Sequence, residues 1–169
     1  SSRRPFFILM SSNNVAVNSD LPVIGWREWL RFPGLGIPGI KAKIDTGARS
    51  SALHTHAYEV FVRNGKDWAR FQLHPLRQRG DLELTCEAPI VGYRNVKNSG
   101  GHQEKRPFIV ATAAMGAVKW DIELSLTNRE SMKFRMLLGR AAIAGRFSVD
   151  PQRSYLLSKR LSSLYKSAG

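Results

Sequence analysis

The stretch VKWDIELSL, residues 118–126, places Val118, Trp120, Ile122, Leu124 and Leu126 on one face and Lys119, Asp121, Glu123 and Ser125 on the other. Such strict alternation fits a half-buried strand, because successive side chains of an extended chain point to opposite faces. It recurs in IKAKI (Ile40, Ala42, Ile44), LELTC (Leu82, Leu84, Cys86) and MKFRM (Met132, Phe134, Met136). As a strand, WARFQL buries Ala69, Phe71 and Leu73. Turn-forming residues separate these runs: PGLGIPG at 33–39, Asn64-Gly65, Arg79-Gly80, NSGG at 98–101 and Thr127-Asn128. Short strands punctuated this often predict an all-β sandwich or barrel. One short helix is expected within LLGRAAIAGRF at 137–147, bounded by Gly139 and Gly145.

A chain of 169 residues is long enough for one domain with its own core. The pattern divides it into a Ser- and Asn-rich flexible arm at 1–20, a folded domain at 21–157 and a basic tail at 158–169, expected to fray or to be weakly helical. No apolar run reaches the roughly 18 residues of a membrane span. The Phe6–Met10 block is shorter than a secretory apolar region of about 7 residues or more. Cys86 is the one cysteine, which excludes an intrachain disulfide and a cysteine-based zinc cage and favours a cytoplasmic setting. Lys and Arg number 26 against 13 Asp and Glu, and the excess is spread along the chain. A surface this basic attracts nucleic acid, anionic membrane or acidic polypeptide. Nucleic acid is the poorer match, since aromatics are 9% and do not interleave with the basic residues as stacking platforms.

Against this background Asp45, in IKAKIDTGARSSALH, stands out. The strand fixes where its carboxylate sits, Gly47 permits a tight turn with an exposed backbone N–H, and Thr46 adds a hydroxyl on a stiff side chain. Taken alone, Asp-Thr-Gly reads first as an Asx-turn closing a hairpin, since Asp and Gly dominate turns. The second motif changes the reading: about ninety residues later, MLLGRAAIAGRF sets an apolar pair before Gly139-Arg140.

Asp-Thr-Gly-Ala followed at that distance by apolar-apolar-Gly-Arg resembles the retropepsin-type aspartic proteases. With GWREWLRFPGLGIPGIKAKIDTGARSSALH, RPFIV and LTNRESMKFRMLLGRAAIAGRFSVDP, the likeness extends over residues 23–157 to the bacterial retropepsin-like family of the RimB type, also labelled ATP-dependent zinc proteases. The resemblance implies a retropepsin-like barrel with one catalytic aspartate per chain. It implies Asp45, Thr46 and Gly47 as the catalytic triplet, with Ala48 and Arg140 among the substrate-binding residues. It also implies hydrolysis of acidic or glutamylated polypeptides in the company of ATP-grasp glutamate ligases. The alternative is a non-catalytic module of the same fold that holds acidic polypeptide or such a ligase.

Aspartic protease chemistry needs two carboxylates sharing one proton. Asp81, Asp121 and Asp150 sit on no equivalent turn, so the second carboxylate is expected from a second copy of the chain in an isologous homodimer. A flap is expected over 93–110 with its tip at Ser99-Gly100-Gly101, from which Lys97, Lys105 and Arg106 would meet glutamate side chains. Where viral retropepsins carry an acidic residue after Asp-Thr-Gly-Ala, this chain has Arg49, so Arg140 must find another partner, Asp150 or a backbone carbonyl. Arg49 adds positive charge for an acidic substrate. No cofactor is expected. His54 and His56 form at most half a zinc site, His74 and His102 are isolated, and GLGIPG holds Pro38 and precedes a strand, unlike a phosphate-binding loop.

Overall fold

The computed structural model describes residues 20–168 except 77, 99 and 130–132. Its elements in chain order are β1 (Val23–Ile24), β2 (Arg27–Phe32), a 3-10 turn (Pro33–Leu35), β3 (Ile37–Asp45), β4 (Ser51–His54), β5 (Ala57–Arg63), β6 (Lys66–Leu73) and β7 (Leu84–Lys97). There follow β8 (Gln103–Met115), β9 (Val118–Thr127), β10 (Met136–Gly139), helix α1 (Arg140–Ile143), β11 (Ser148–Val149) and a 3-10 helix (Ser162–Ala168). The fold is all-β, as the alternation requires. Apart from Asp20, the N-terminal arm lies outside the described residues.

Nine strands run in the order β2-β3-β10-β4-β9-β8-β7-β6-β5, and a β2–β8 pairing at Arg31 and Ala114 closes the inner part on itself. The core lies inside this closure. Leu30, Phe32, Ile37, Ile40, Leu53, Ile109, Met115, Leu124 and Leu138 are fully buried there. Each Leu, Ile or Phe of this set contributes about 1.5–3 kcal/mol of transfer free energy. In β9, Trp120, Ile122, Leu124 and Leu126 are buried while Lys119, Asp121 and Glu123 face solvent. The alternation stops at Ser125, which is also buried because its hydroxyl bonds the carbonyl of Ser51 across the β4–β9 pair.

The β5–β6 hairpin turns on Asn64-Gly65, whose φ angles of 54° and 76° are the pair a two-residue hairpin loop demands. Ala69, Phe71 and Leu73 of β6 are buried as expected. Two boundaries move. β7 starts at Leu84 rather than Leu82, and β10 starts at Met136; Phe134 instead packs its ring edge-on against Trp26. Met132 lies outside the described residues. Part of PGLGIPG is strand, since Ile37-Pro38-Gly39 already belong to β3.

Of the two forms expected for the tail, fraying or weak helix, the structure has the second, a 3-10 helix over Ser162–Ala168, and the tail docks on β2 and β3. Glu28 is fully buried and accepts five hydrogen bonds: from the backbone of Gly25, Leu156, Leu157 and Ser158, and from the Ser158 hydroxyl. Ser158 Oγ in turn accepts from the Trp29 N–H at 2.7 Å. Tyr165 is buried with its hydroxyl bonded to both backbone groups of Gly39, and burial pushes its pKa up to about 12. A domain end drawn at residue 157 therefore cuts through a hydrogen-bonded knot. Of the tail's polar side chains, the Ser158 hydroxyl donates to Glu28 and the Tyr165 hydroxyl bonds Gly39.

Candidate active site

Asp45 is the last residue of β3, and the loop beyond it is held from two sides. β10 returns after some ninety residues to insert between β3 and β4, parallel to the first and antiparallel to the second, with Gly139 in register with Asp45. The loop 46–50 is thus threaded by β10, a strand formed by the apolar pair and glycine of the second motif, where the sequence marks only the helix that follows. Arg140 N and Ala141 N donate to the carbonyls of Ala48 (2.7 Å) and Arg49 (2.9 Å), and Gly139 N donates to Ser51 Oγ at 3.0 Å. A Cβ on Gly139 would lie 2.4 Å from the carbonyl oxygen of Ser50, so no side chain fits at this crossing. Arg140 finds its partner in a backbone carbonyl: its guanidinium donates to Thr46 O at 3.0 Å. Asp150 instead caps its own turn by accepting from Gln152 N.

Within this frame the carboxylate of Asp45 is oriented by its own loop. Oδ1 accepts from Gly47 N at 3.0 Å and Ala48 N at 3.2 Å. Oδ2 makes no hydrogen bond to the described residues, and the side chain is half-buried and faces a cleft of about 1090 Å³. This is an Asx-type turn, and it is also a carboxylate with one oxygen fixed and one uncommitted.

The cleft runs beneath the long β7–β8 hairpin, whose tip at 98–102 is where the flap was expected; Ser99 itself lies outside the described residues. Among the described residues its lining carries six basic side chains, Arg49, Arg94, Lys97, Arg106, Arg129 and Arg146, against Asp45, Asp121 and Glu123. Thr46 is exposed on the loop, while Gly47, Ala48 and Arg49 line the cleft. Arg140 does not; it braces the loop from behind.

Lys105 and Arg106 separate. Arg106 points into the cleft wall and is 6% exposed. Lys105 lies on the opposite face, exposed, with its ammonium 5.6 Å from the centre of the Tyr93 ring, and it does not line the cleft. Adjacent residues of a strand cannot face the same way. Arg94, Arg129 and Arg146 were not singled out from the sequence, since each is one arginine among many and only the fold gathers them.

His54 is buried on β4 with Nδ1 2.8 Å from the Thr127 hydroxyl. Burial, reinforced by the charges of Arg106, Arg129 and Arg135, lowers its pKa from 6.5 to about 4, so it is neutral at physiological pH. His56 points elsewhere, its ring edge-on to His74 at 5.3 Å, so the two histidines of His-Thr-His do not converge. Among the described residues no group of three His, Cys, Asp or Glu is placed to hold a metal.

This geometry accords with the relatives. Residues 23–160 match the RimB-like family, described as "Retropepsin-like aspartic endopeptidase RimB". The chain belongs to that family. A crystal structure of Lpg0085 from Legionella pneumophila, a protein of unknown function, superposes with a TM-score of 0.66 at 28% identity, covering 79% of this chain and 96% of that one. Two curated proteins named "Probable alpha-L-glutamate ligase" are also similar. The Shewanella pealeana protein is 44% identical over 138 residues, 82% of this chain but 30% of that protein. The Parasynechococcus marenigrum protein is 42% identical over 135 residues, 80% of this chain and 29% of that protein. The chain thus spans under a third of the length of these relatives.

Proposed function

We propose that this RimB-like chain is one half of an aspartic peptidase that cleaves acidic polypeptides, with the second catalytic aspartate supplied by Asp45 of another copy. The observation that carries the reading is the clamp on Asp45: β10 locks the loop, two loop N–H groups fix Oδ1, and Oδ2 is left facing the cleft. A rigid, half-satisfied carboxylate suits proton transfer. When two such groups meet across a two-fold axis they cannot both ionise. The ionised one takes a proton from water as that water attacks the peptide carbonyl. The protonated one hydrogen-bonds the carbonyl oxygen as charge develops there.

The basic lining supports an acidic substrate, and the β7–β8 hairpin supports a flap that covers it. The glutamate ligase name of the curated relatives supports polypeptides bearing added glutamates as the substrate, and a ligase as functional partner. That name also favours a second reading, a module that presents acidic chains to a ligase without cutting them. A glutamate-rich peptide incubated with wild type and with Asp45→Asn distinguishes the two. Cleavage that falls by about 10²–10⁴-fold in the variant supports the peptidase. Equal cleavage by both proteins, or binding with no cleavage by wild type, contradicts it.

A further inference from the structure

Two arginines in the wall of the cleft share a carboxylate that the catalytic reading does not use. Glu104 of β8 sits two residues before Arg106, on the same face of the strand, and its Oε1 is shared by two guanidiniums: Arg106 Nη2 at 2.8 Å and Arg129 Nη2 at 3.3 Å. Both arginines line the cleft that Asp45 faces. Arg106 is 6% exposed; its Nη1 reaches Ser125 Oγ only at 3.5 Å, and its Nε is buried and meets no acceptor among the described residues. The Nε and Nη2 of an arginine form one edge, the edge that a carboxylate fork bridges with both oxygens. Here Glu104 fills half of that edge and the other half is unsatisfied. Two positive charges are answered by one negative charge, and the side chain of Glu104 is 40% exposed while the Arg106 guanidinium is not.

We infer that Arg106 and Arg129 form a specificity pocket for a glutamate side chain of the substrate, and that Glu104 is a resident stand-in which the substrate displaces. The inference takes the acidic substrate from the reading above and adds which residues select it and what competes with it. An incoming carboxylate bridges Nε and Nη2 of Arg106 and pairs with Arg129. Glu104 swings out to solvent, which its 40% exposure allows. Substrate without a carboxylate cannot evict Glu104, so the internal ligand sharpens discrimination between glutamate and glutamine. Arg106 and Arg129 are specificity residues, and Glu104 acts through them.

The test measures binding of end-blocked triglutamate and triglutamine peptides in an Asp45→Asn background, where nothing is consumed. Glutamate is expected to bind about tenfold more tightly than glutamine, the ratio a charge-assisted bidentate contact supplies. Glu104→Gln is expected to tighten triglutamate about threefold or more and to leave triglutamine unchanged, since the competitor is gone. Arg129→Gln, at a site a third exposed, is expected to weaken triglutamate about tenfold and again spare triglutamine. A Glu104→Gln variant that binds triglutamate no better than its parent makes Glu104 a mere brace for Arg106 and overturns the inference. No preference for glutamate over glutamine overturns it too. Triglutamine with a free C-terminus that binds as well as blocked triglutamate assigns the pocket to chain ends and overturns the side-chain assignment. Selective binding that follows this charge pattern, with no cleavage by wild type, upholds the pocket and counts against the peptidase reading alone.

Discussion

Two carboxylates, Asp45 and Glu28, are held in opposite ways, the first half-satisfied beside a cleft and the second saturated in the core. Glu28 is fully buried and has five donors spread over both oxygens, so every lone pair that matters is spoken for. Asp45 is half-buried with two donors on one oxygen and, among the described residues, none on the other. A saturated buried carboxylate holds chain segments together, and losing it leaves several backbone N–H groups unsatisfied. A carboxylate held by one oxygen and open at the other can exchange protons with something that enters. Side-chain type tells neither role; the donor count and the solvent on the remaining oxygen do.

Replacing each group should therefore break different things. Glu28→Ala is expected to destabilise the fold by about 3–5 kcal/mol, because it strands buried donors and releases the tail from β2. Chemical denaturation of Asp45→Asn should show a change within about 0.5 kcal/mol, since the amide oxygen keeps both loop hydrogen bonds. If the two variants lose stability equally, the contrast fails.

His54 refines the contrast with a smaller effect: it lies against the cleft yet is buried and neutral, a structural group in a chemical setting. Its folded pKa of about 4 is below its ordinary 6.5, so between these values the unfolded chain binds more protons. Stability from this group is full above pH 6.5 and is lost as pH falls to 4, by about 3 kcal/mol at the lower end. His54→Gln keeps a partner for Thr127 and should flatten that part of the pH dependence. An unchanged slope in denaturation midpoints between pH 4 and 6.5 contradicts the assignment.

The strand pattern and the two motifs made the barrel and the Asp45 loop legible from sequence, because both depend on local periodicity and on residues that suit only one geometry. Gly139 is an example: the crossing of β10 over Ser50 leaves no room for a Cβ, so the glycine of the Gly-Arg motif is required at that point. The Glu28 knot was not legible, since all its donors but Gly25 stand 128–130 residues away and nothing local in REWLRF marks a buried carboxylate. Nor was the docking of Tyr165, whose contact with Gly39 joins two segments 126 residues apart. Lys105 was readable and misread. Taking 93–110 as a loose flap hid the strand parity that sends Arg106 inward with Phe108 and turns Lys105 away.

The central claim is that one reaction centre needs Asp45 from two chains. Mixing wild type with Asp45→Asn at constant total concentration, under conditions where subunits exchange, tests it most directly through cleavage of a glutamate-rich peptide. If the dyad forms across a homodimer, activity follows the square of the wild-type fraction, about one quarter at an equal mixture. A linear fall, about one half at that mixture, would mean that each chain works alone and would contradict the shared dyad.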